Sequence, residues 1–161
     1  MKKSLAAVLL AGVLCACLLS AYGSGGVSAG AENPYTITEP YVYPVAPGTD
    51  EWARFQTHEE MIQACAIPED RVGAMTTEAL LSSVAAYPLL GDMLAWDEPD
   101  RGLSAVIDSF NGLEEFCSRE DALETLERYL AGNDPSGEDY RQQISAMCLG
   151  MLRDRLETVG G

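Results

Sequence analysis

Beyond residue 49, apolar residues recur at three- and four-residue spacing, the period of one helix face. Thr57-His58-Glu59-Glu60 has the form of a capping box, in which the Thr hydroxyl accepts from the Glu60 N–H and the Glu60 carboxylate reaches back. Met61, Ile62 and Cys65 continue it as an apolar stripe, and Pro68 ends that helix or opens the next. Thr76 and Thr77 open another, with Leu80, Leu81 and Val84 inward and a stop near Tyr87-Pro88. Leu89, Leu90, Met93, Leu94 and Trp96 predict a short helical segment. Asp97 is expected to cap a helix with Pro99 and Asp100 in its first turn and Leu103, Val106, Ile107 and Phe110 on its inner face. Asn111-Gly112 is expected to end it in a left-handed turn.

Leu113 and Phe116 predict a short further turn of helix. Ser118 with Asp121 should start the next helix, with Ala122, Leu123, Leu126, Tyr129 and Leu130 on one face and Gly132 as its end. Asn133 to Gly137 is a turn cluster. From about Ser136 to Val159 the period is most regular. Tyr140, Ile144, Met147, Cys148, Met151, Leu152, Leu156 and Val159 predict one long helix packed into the core. The helices opened by Thr57 and Thr76 align residue for residue. A cap followed by an apolar stripe produces that match without any repeat, and two copies are too few for a solenoid.

Upstream the pattern is different. In NPYTITEPYVYPVAPG, residues 33–48, Pro34, Pro40, Pro44 and Pro47 forbid a helix, and Tyr35, Tyr41 and Tyr43 alternate with β-branched residues. This predicts an extended arm. A row of exposed tyrosines is a liability, so the arm should lie along the helices with its rings covered. The expected architecture is an all-α, small multi-helix domain with an extended proline- and tyrosine-rich N-terminal arm. Residues 1–31 are assigned to an export signal and small-residue linker, 32–48 to the arm and 49–161 to the helical domain.

The export signal rests on Lys2 and Lys3 followed by an uncharged apolar run from Ser4 to Tyr22 and a stretch rich in Gly, Ser and Ala. Cleavage after Ala31, at Ala29-Gly30-Ala31, is the first reading. A lipobox at Leu14-Cys15-Ala16-Cys17, with Cys17 lipidated, is the second. An uncleaved anchor is the third. Each predicts an extracytoplasmic protein, secreted or held at the outer face of a bacterial membrane.

Charge narrows the partners. The net charge is −15, from 10 basic and 25 acidic residues. Beyond Lys2 and Lys3 the chain has 8 arginines and no lysine against its 25 acids. Such a chain repels phosphate backbones and anionic bilayers, so no nucleic-acid partner is expected. Membrane association is expected only through a lipid anchor or an uncleaved signal.

Candidate chemistry is sparse. His58 is the single histidine, so any site needing two is excluded. It falls in an exposed first turn beside Glu59 and Glu60 and is read as a surface residue. The absence of lysine beyond Lys3 excludes Schiff-base chemistry in the domain. Cys65, Cys117 and Cys148 lie far apart on apolar faces, open equally to one disulfide or to three buried thiols. Asp97, Glu98 and Asp100 cluster, as do Asn133, Asp134, Glu138 and Asp139, but neither group has calcium-loop spacing. No catalytic, cofactor-binding or metal-ligating residue is assigned, and no cofactor is expected.

The stretch from Trp52 through Thr57, Ile67-Pro68, Met75 to Glu78, Tyr87-Pro88 and Phe110 to Leu113 resembles a helical module found in exported bacterial proteins of uncharacterised function. The resemblance spans about residues 40–130. Its motifs are caps, prolines and an Asn-Gly turn, so it implies a helical module with no named activity and no site residues. The expected function is an exported cell-envelope or secreted, non-enzymatic interaction or binding module, its partner a protein or envelope component. The alternative is a small hydrolase acting on envelope glycan or peptide through carboxylates, since two such acids can lie far apart in sequence.

Overall fold

In the computed structural model, which describes residues 35–133 and 139–160, the arm is followed by helices only. These are α1 (His58–Ala64), α2 (Glu69–Val72), α3 (Thr77–Ala85), α4 (Pro99–Ser109), α5 (Asn111–Cys117), α6 (Ala122–Gly132) and α7 (Tyr140–Gly160). Two 3-10 segments, Trp52–Arg54 and Leu90–Ala95, complete the order. No strand occurs among the described residues, and one isolated bridge joins Ile37 to Met75. The domain is all-α. Among the described residues no helix is long and apolar enough to cross a membrane. The signal, Cys17, the Ala29–Ala31 cleavage site, Asn33-Pro34 and most of the 133–137 turn cluster lie outside the described residues.

The capping box before α1 forms in both directions: Thr57 Oγ1 accepts from the Glu60 N–H at 3.2 Å, and Glu60 Oε2 accepts from the Thr57 N–H at 3.4 Å. Thr76 caps α3 in one direction only, accepting from the Ala79 N–H at 3.2 Å. The two look-alike helices nevertheless occupy different places. The α3 helix is central, with Ala79, Leu80, Leu81 and Val84 all buried, whereas α1 buries no residue fully. Their likeness is one of caps and stripes.

Three helix boundaries differ from the sequence reading. The α4 helix starts at Pro99 behind Glu98, and Asp97 does not cap it. Proline at the first helical position has its φ pre-set and lacks only an N–H that would be unpaired there anyway. The same helix ends on Phe110 in extended backbone (φ −121°), with no left-handed residue. Asn111 begins α5 instead. Its side-chain amide brackets the Ile67 peptide, accepting from Ile67 N at 3.1 Å and donating to Ile67 O at 2.6 Å. Gly112 is required by crowding, because a Cβ there would overlap the Phe110 ring and lie 2.9 Å from Ile67 Cδ1. Finally, Ser118 closes α5 by donating to Glu115 O, and Asp121, at the N-cap of α6, accepts from the Thr77 hydroxyl at 2.8 Å.

The long C-terminal helix forms with most of the predicted stripe inward: Cys148 and Leu152 are buried and Ile144, Met151 and Leu156 pack against the core, while Leu149 joins them. Tyr140 (74% exposed), Val159 (72%) and Met147 (49%) face outward, against expectation. The face chosen is the one that lets Ser145 donate to Ala85 O at 3.1 Å and the Cys148 thiol to Leu90 O at 3.5 Å.

The arm lies along the helices, with Tyr35, Ile37, Tyr41, Tyr43 and Val45 turned inward and Thr36, Thr38, Val42 and Pro44 outward, close to the alternation an extended chain imposes. The Tyr41 N–H donates to Ser83 Oγ at 2.8 Å, and the Tyr43 hydroxyl to Ser83 O at 2.9 Å. Tyr43 touches Tyr41 edge-on and packs beside Tyr87 and Phe110, which stack on each other at 3.8 Å. Gly48, with φ +91°, turns the chain out of the arm. Burial pushes the Tyr43 and Tyr87 hydroxyls far above the ordinary phenol range. The arm is thus packed against the core. Tyr43→Phe should cost about 1 kcal/mol, the net worth of one hydrogen bond. Tyr43→Ala should cost about 3–5 kcal/mol, that of a large aromatic truncation. Urea titration would check both, and equal midpoints for the two variants would show that the arm does not contribute.

Candidate functional site

A cleft of about 630 Å³ opens where the ends of several helices meet. Its floor is apolar, from Leu90, Ile144 and Leu149. Small residues, among them Ala85, Gly91 and Ala146, give it depth. The C-terminal end of α6 contributes Tyr129 and Asn133 to its rim, and the first turn of α7 contributes Tyr140, Arg141 and Gln142. The volume is in the range of small-ligand sites, which combine an apolar lining with a few polar groups. Arg141 is the only ionised side chain among the described lining residues. Its backbone N–H is taken by Asp139 Oδ1 at 2.9 Å, and its guanidinium makes no ion pair with a described residue.

The residues singled out in the sequence lie elsewhere. His58 is exposed, and its Nε2 meets Asp92 Oδ2 at 3.1 Å, a partner from the 3-10 segment that sequence order did not suggest. Partial burial raises the Asp92 pKa, and His58 opposes the shift. No serine or cysteine is hydrogen-bonded to this pair among the described residues.

Cys65, Cys117 and Cys148 are free thiols, Cys65 and Cys148 buried and Cys117 half-buried. Burial raises each thiol to about 11, and Arg155 near Cys117 offsets this in part. At pH 8 a thiol of that pKa is roughly 0.1% thiolate, the form that reacts. Mass mapping after brief treatment of the native protein with a thiol reagent at pH 8 should find all three unmodified, and in urea all three modified. Rapid native labelling of Cys148 would show that α7 opens readily.

Of the acidic clusters, Asp134 and Glu138 lie outside the described residues. Asp97, Glu98 and Asp100 are all exposed, and Asp139 is spent on the α7 backbone. Among the described residues no group of three His, Cys, Asp or Glu side chains is placed to hold a metal. A shallower recess of about 340 Å³ carries Glu69, Glu114 and Glu115, the carboxylate set a hydrolase would draw on. Glu115, however, is held by Arg119 at 2.6 Å. Arg119 itself is buried beneath the Tyr35 ring, 3.6 Å from its centroid, where a cation over an aromatic face is stabilised. Its Nε and Nη1 have no hydrogen-bond partner among the described residues, so ring and carboxylate carry its charge. This cluster secures the start of the described arm.

No family model matches the chain, and neither a curated protein nor a solved structure matches it. The cleft is built from residues 82–91, 129–133 and 140–149, so no contiguous motif marks it. The one signal available in sequence was the isolated arginine of Tyr140-Arg141-Gln142 in a strongly acidic chain.

Proposed function

We propose that this protein is an exported, non-enzymatic binding module of the cell envelope, with the cleft between α3, the Leu90–Ala95 segment, α6 and α7 as its binding surface. The observation that carries the reading is the composition of the cleft. It combines an apolar floor with tyrosine, amide and hydroxyl groups, and no carboxylate, imidazole or thiol is among its described lining residues. Acid–base or nucleophilic chemistry needs such groups within reach of the substrate. Retention of a ligand needs only shape, apolar area and a few directed polar contacts. In the recess that carries Glu69, Glu114 and Glu115, the set the carboxylate-hydrolase alternative would draw on, Glu115 is committed to Arg119. Export rests on the basic, apolar and small-residue order of the first 31 residues.

Gly91 offers a direct test. A Cβ at this cleft position would meet only Ile144 Cγ2, at 3.5 Å, so a larger side chain can grow into the cleft without backbone strain. Gly91→Phe should abolish retention of the purified protein on isolated envelope fractions while its melting temperature stays close to that of the parent. His58→Ala, which removes every imidazole, should leave retention unchanged. Undiminished retention of Gly91→Phe would refute the cleft as the binding surface. Release of envelope fragments by the parent, lost in His58→Ala, would instead reveal an enzyme.

A further inference from the structure

Resting on the reading of the cleft as a binding surface, we propose that its ligand is the C-terminal end of a peptide chain. The free carboxylate would lie against Arg141, with a small apolar side chain on the floor formed by Leu90, Ile144 and Leu149. Three features of the cleft support this. First, Arg141 is the only ionised group among the described lining residues, and no described carboxylate pairs with it. An arginine offers a planar fork of donors that matches a carboxylate in two parallel hydrogen bonds.

Second, the chain as a whole carries −15. A single local cation in so acidic a setting accepts one negative charge and disfavours several, which selects a monocarboxylate over phosphates and polyanions. Third, Gln142, Tyr129, Tyr140 and Ser82, whose hydroxyl already donates to Glu78 O, line the cleft beside the apolar floor. A peptide brings an N–H and a C=O per residue that must find partners once water is displaced, and amide and hydroxyl groups supply both kinds. A hydrocarbon carboxylate would fill the floor and leave this polar rim unpartnered, at a cost to affinity. The depth left by Gly91, Ala85 and Ala146 admits a side chain of leucine or valine size.

Calorimetric titration of the purified chain would test this with three probes: acetyl-Ala-Ala-Leu as the free acid, the same peptide as its C-terminal amide, and octanoate. The acid peptide should bind, with the amide and octanoate each about tenfold weaker or more, the loss expected when a charge-assisted pair or a polar rim goes unsatisfied. Arg141→Gln should weaken the acid peptide by about the same factor and leave the amide unchanged, while Arg141→Lys restores part of the loss. Gly91→Phe should abolish acid-peptide binding.

Equal affinity for acid and amide, an Arg141→Gln variant that binds the acid as tightly as the parent, octanoate as tight as the peptide, or no peptide binding would each overturn the proposal. Failure of the peptide with envelope retention still lost in Gly91→Phe would overturn the ligand assignment alone. Retention that ignores Gly91→Phe would overturn the cleft reading beneath it.

Discussion

Replacing Gly102 by alanine should destabilise the domain by about 3 kcal/mol or more, at the upper end of overpacking substitutions. Gly102 is buried in α4 where that helix crosses the Leu90–Ala95 segment. A Cβ there would overlap the Met93 carbonyl oxygen, lie 2.8 Å from the Met93 carbonyl carbon and 3.1 Å from Trp96 Cδ1. The obstacle is backbone, which cannot rotate aside as a side chain can. Met93 is itself fully buried, so its segment cannot retreat without opening the core. Alanine is the better helix former by about 1 kcal/mol, so the propensity gain runs against the expected result. Thermal unfolding of Gly102→Ala beside Gly132→Ala would separate the effects, because Gly132 has open space around its Cβ position. Gly132→Ala should match or exceed the parent in stability, and Gly102→Ala should fall well below it. Similar melting temperatures for the two variants would show that the close approach of α4 is not needed.

Leu152→Asp should leave the domain largely unfolded at room temperature. Leu152 is fully buried on the inner face of α7, beside Cys148 and Leu149. The change removes the burial of a leucine, worth about 1.5–3 kcal/mol, and places a carboxylate in the apolar interior, where burial penalises its charge. Together these approach or exceed the total stability of about 5–15 kcal/mol typical of a small domain. Leu152→Ala isolates the first part and should cost about 2–5 kcal/mol while keeping the fold. Met147→Asp, one turn away on the exposed side, should change stability by no more than about 0.5 kcal/mol. Circular dichroism and urea titration of the three variants would rank them. A folded Leu152→Asp would mean that the domain does not need α7 for its core.

The placing of Met147 outside and Leu149 inside shows where periodicity stops being informative. The predicted stripe runs Tyr140, Ile144, Met147, Cys148, Met151, Leu152, Leu156 and Val159. Ile144, Cys148, Met151, Leu152 and Leu156 are buried or packed on the core, but the inner face is turned so that Leu149 enters it while Tyr140, Met147 and Val159 stay outside. In that orientation Ser145 reaches Ala85 O and Cys148 reaches Leu90 O. Neither contact can be seen within the helix itself.

Local sequence determined what depends on neighbours in the chain. Thr57 with Glu60, and Thr76 with the Ala79 N–H, start helices because the capping groups lie within one turn. Four prolines deny a helix to the arm whatever surrounds it. The helical period and the missing strand pattern likewise made the all-α class legible, and the liability of bare tyrosines indicated that the arm would be covered.

Tertiary structure decided everything that joins distant residues. It placed Asn111 against the Ile67 peptide, Asp121 against Thr77, Asp92 against His58 and Arg119 beneath Tyr35. It also made Gly102 and Gly112 necessary through crowding, whereas Asn111-Gly112 in sequence suggests a left-handed turn. The cleft belongs to this second class entirely. Its walls come from the ends of separate helices, and a concavity is set by how helices pack, a property no stretch of chain carries alone.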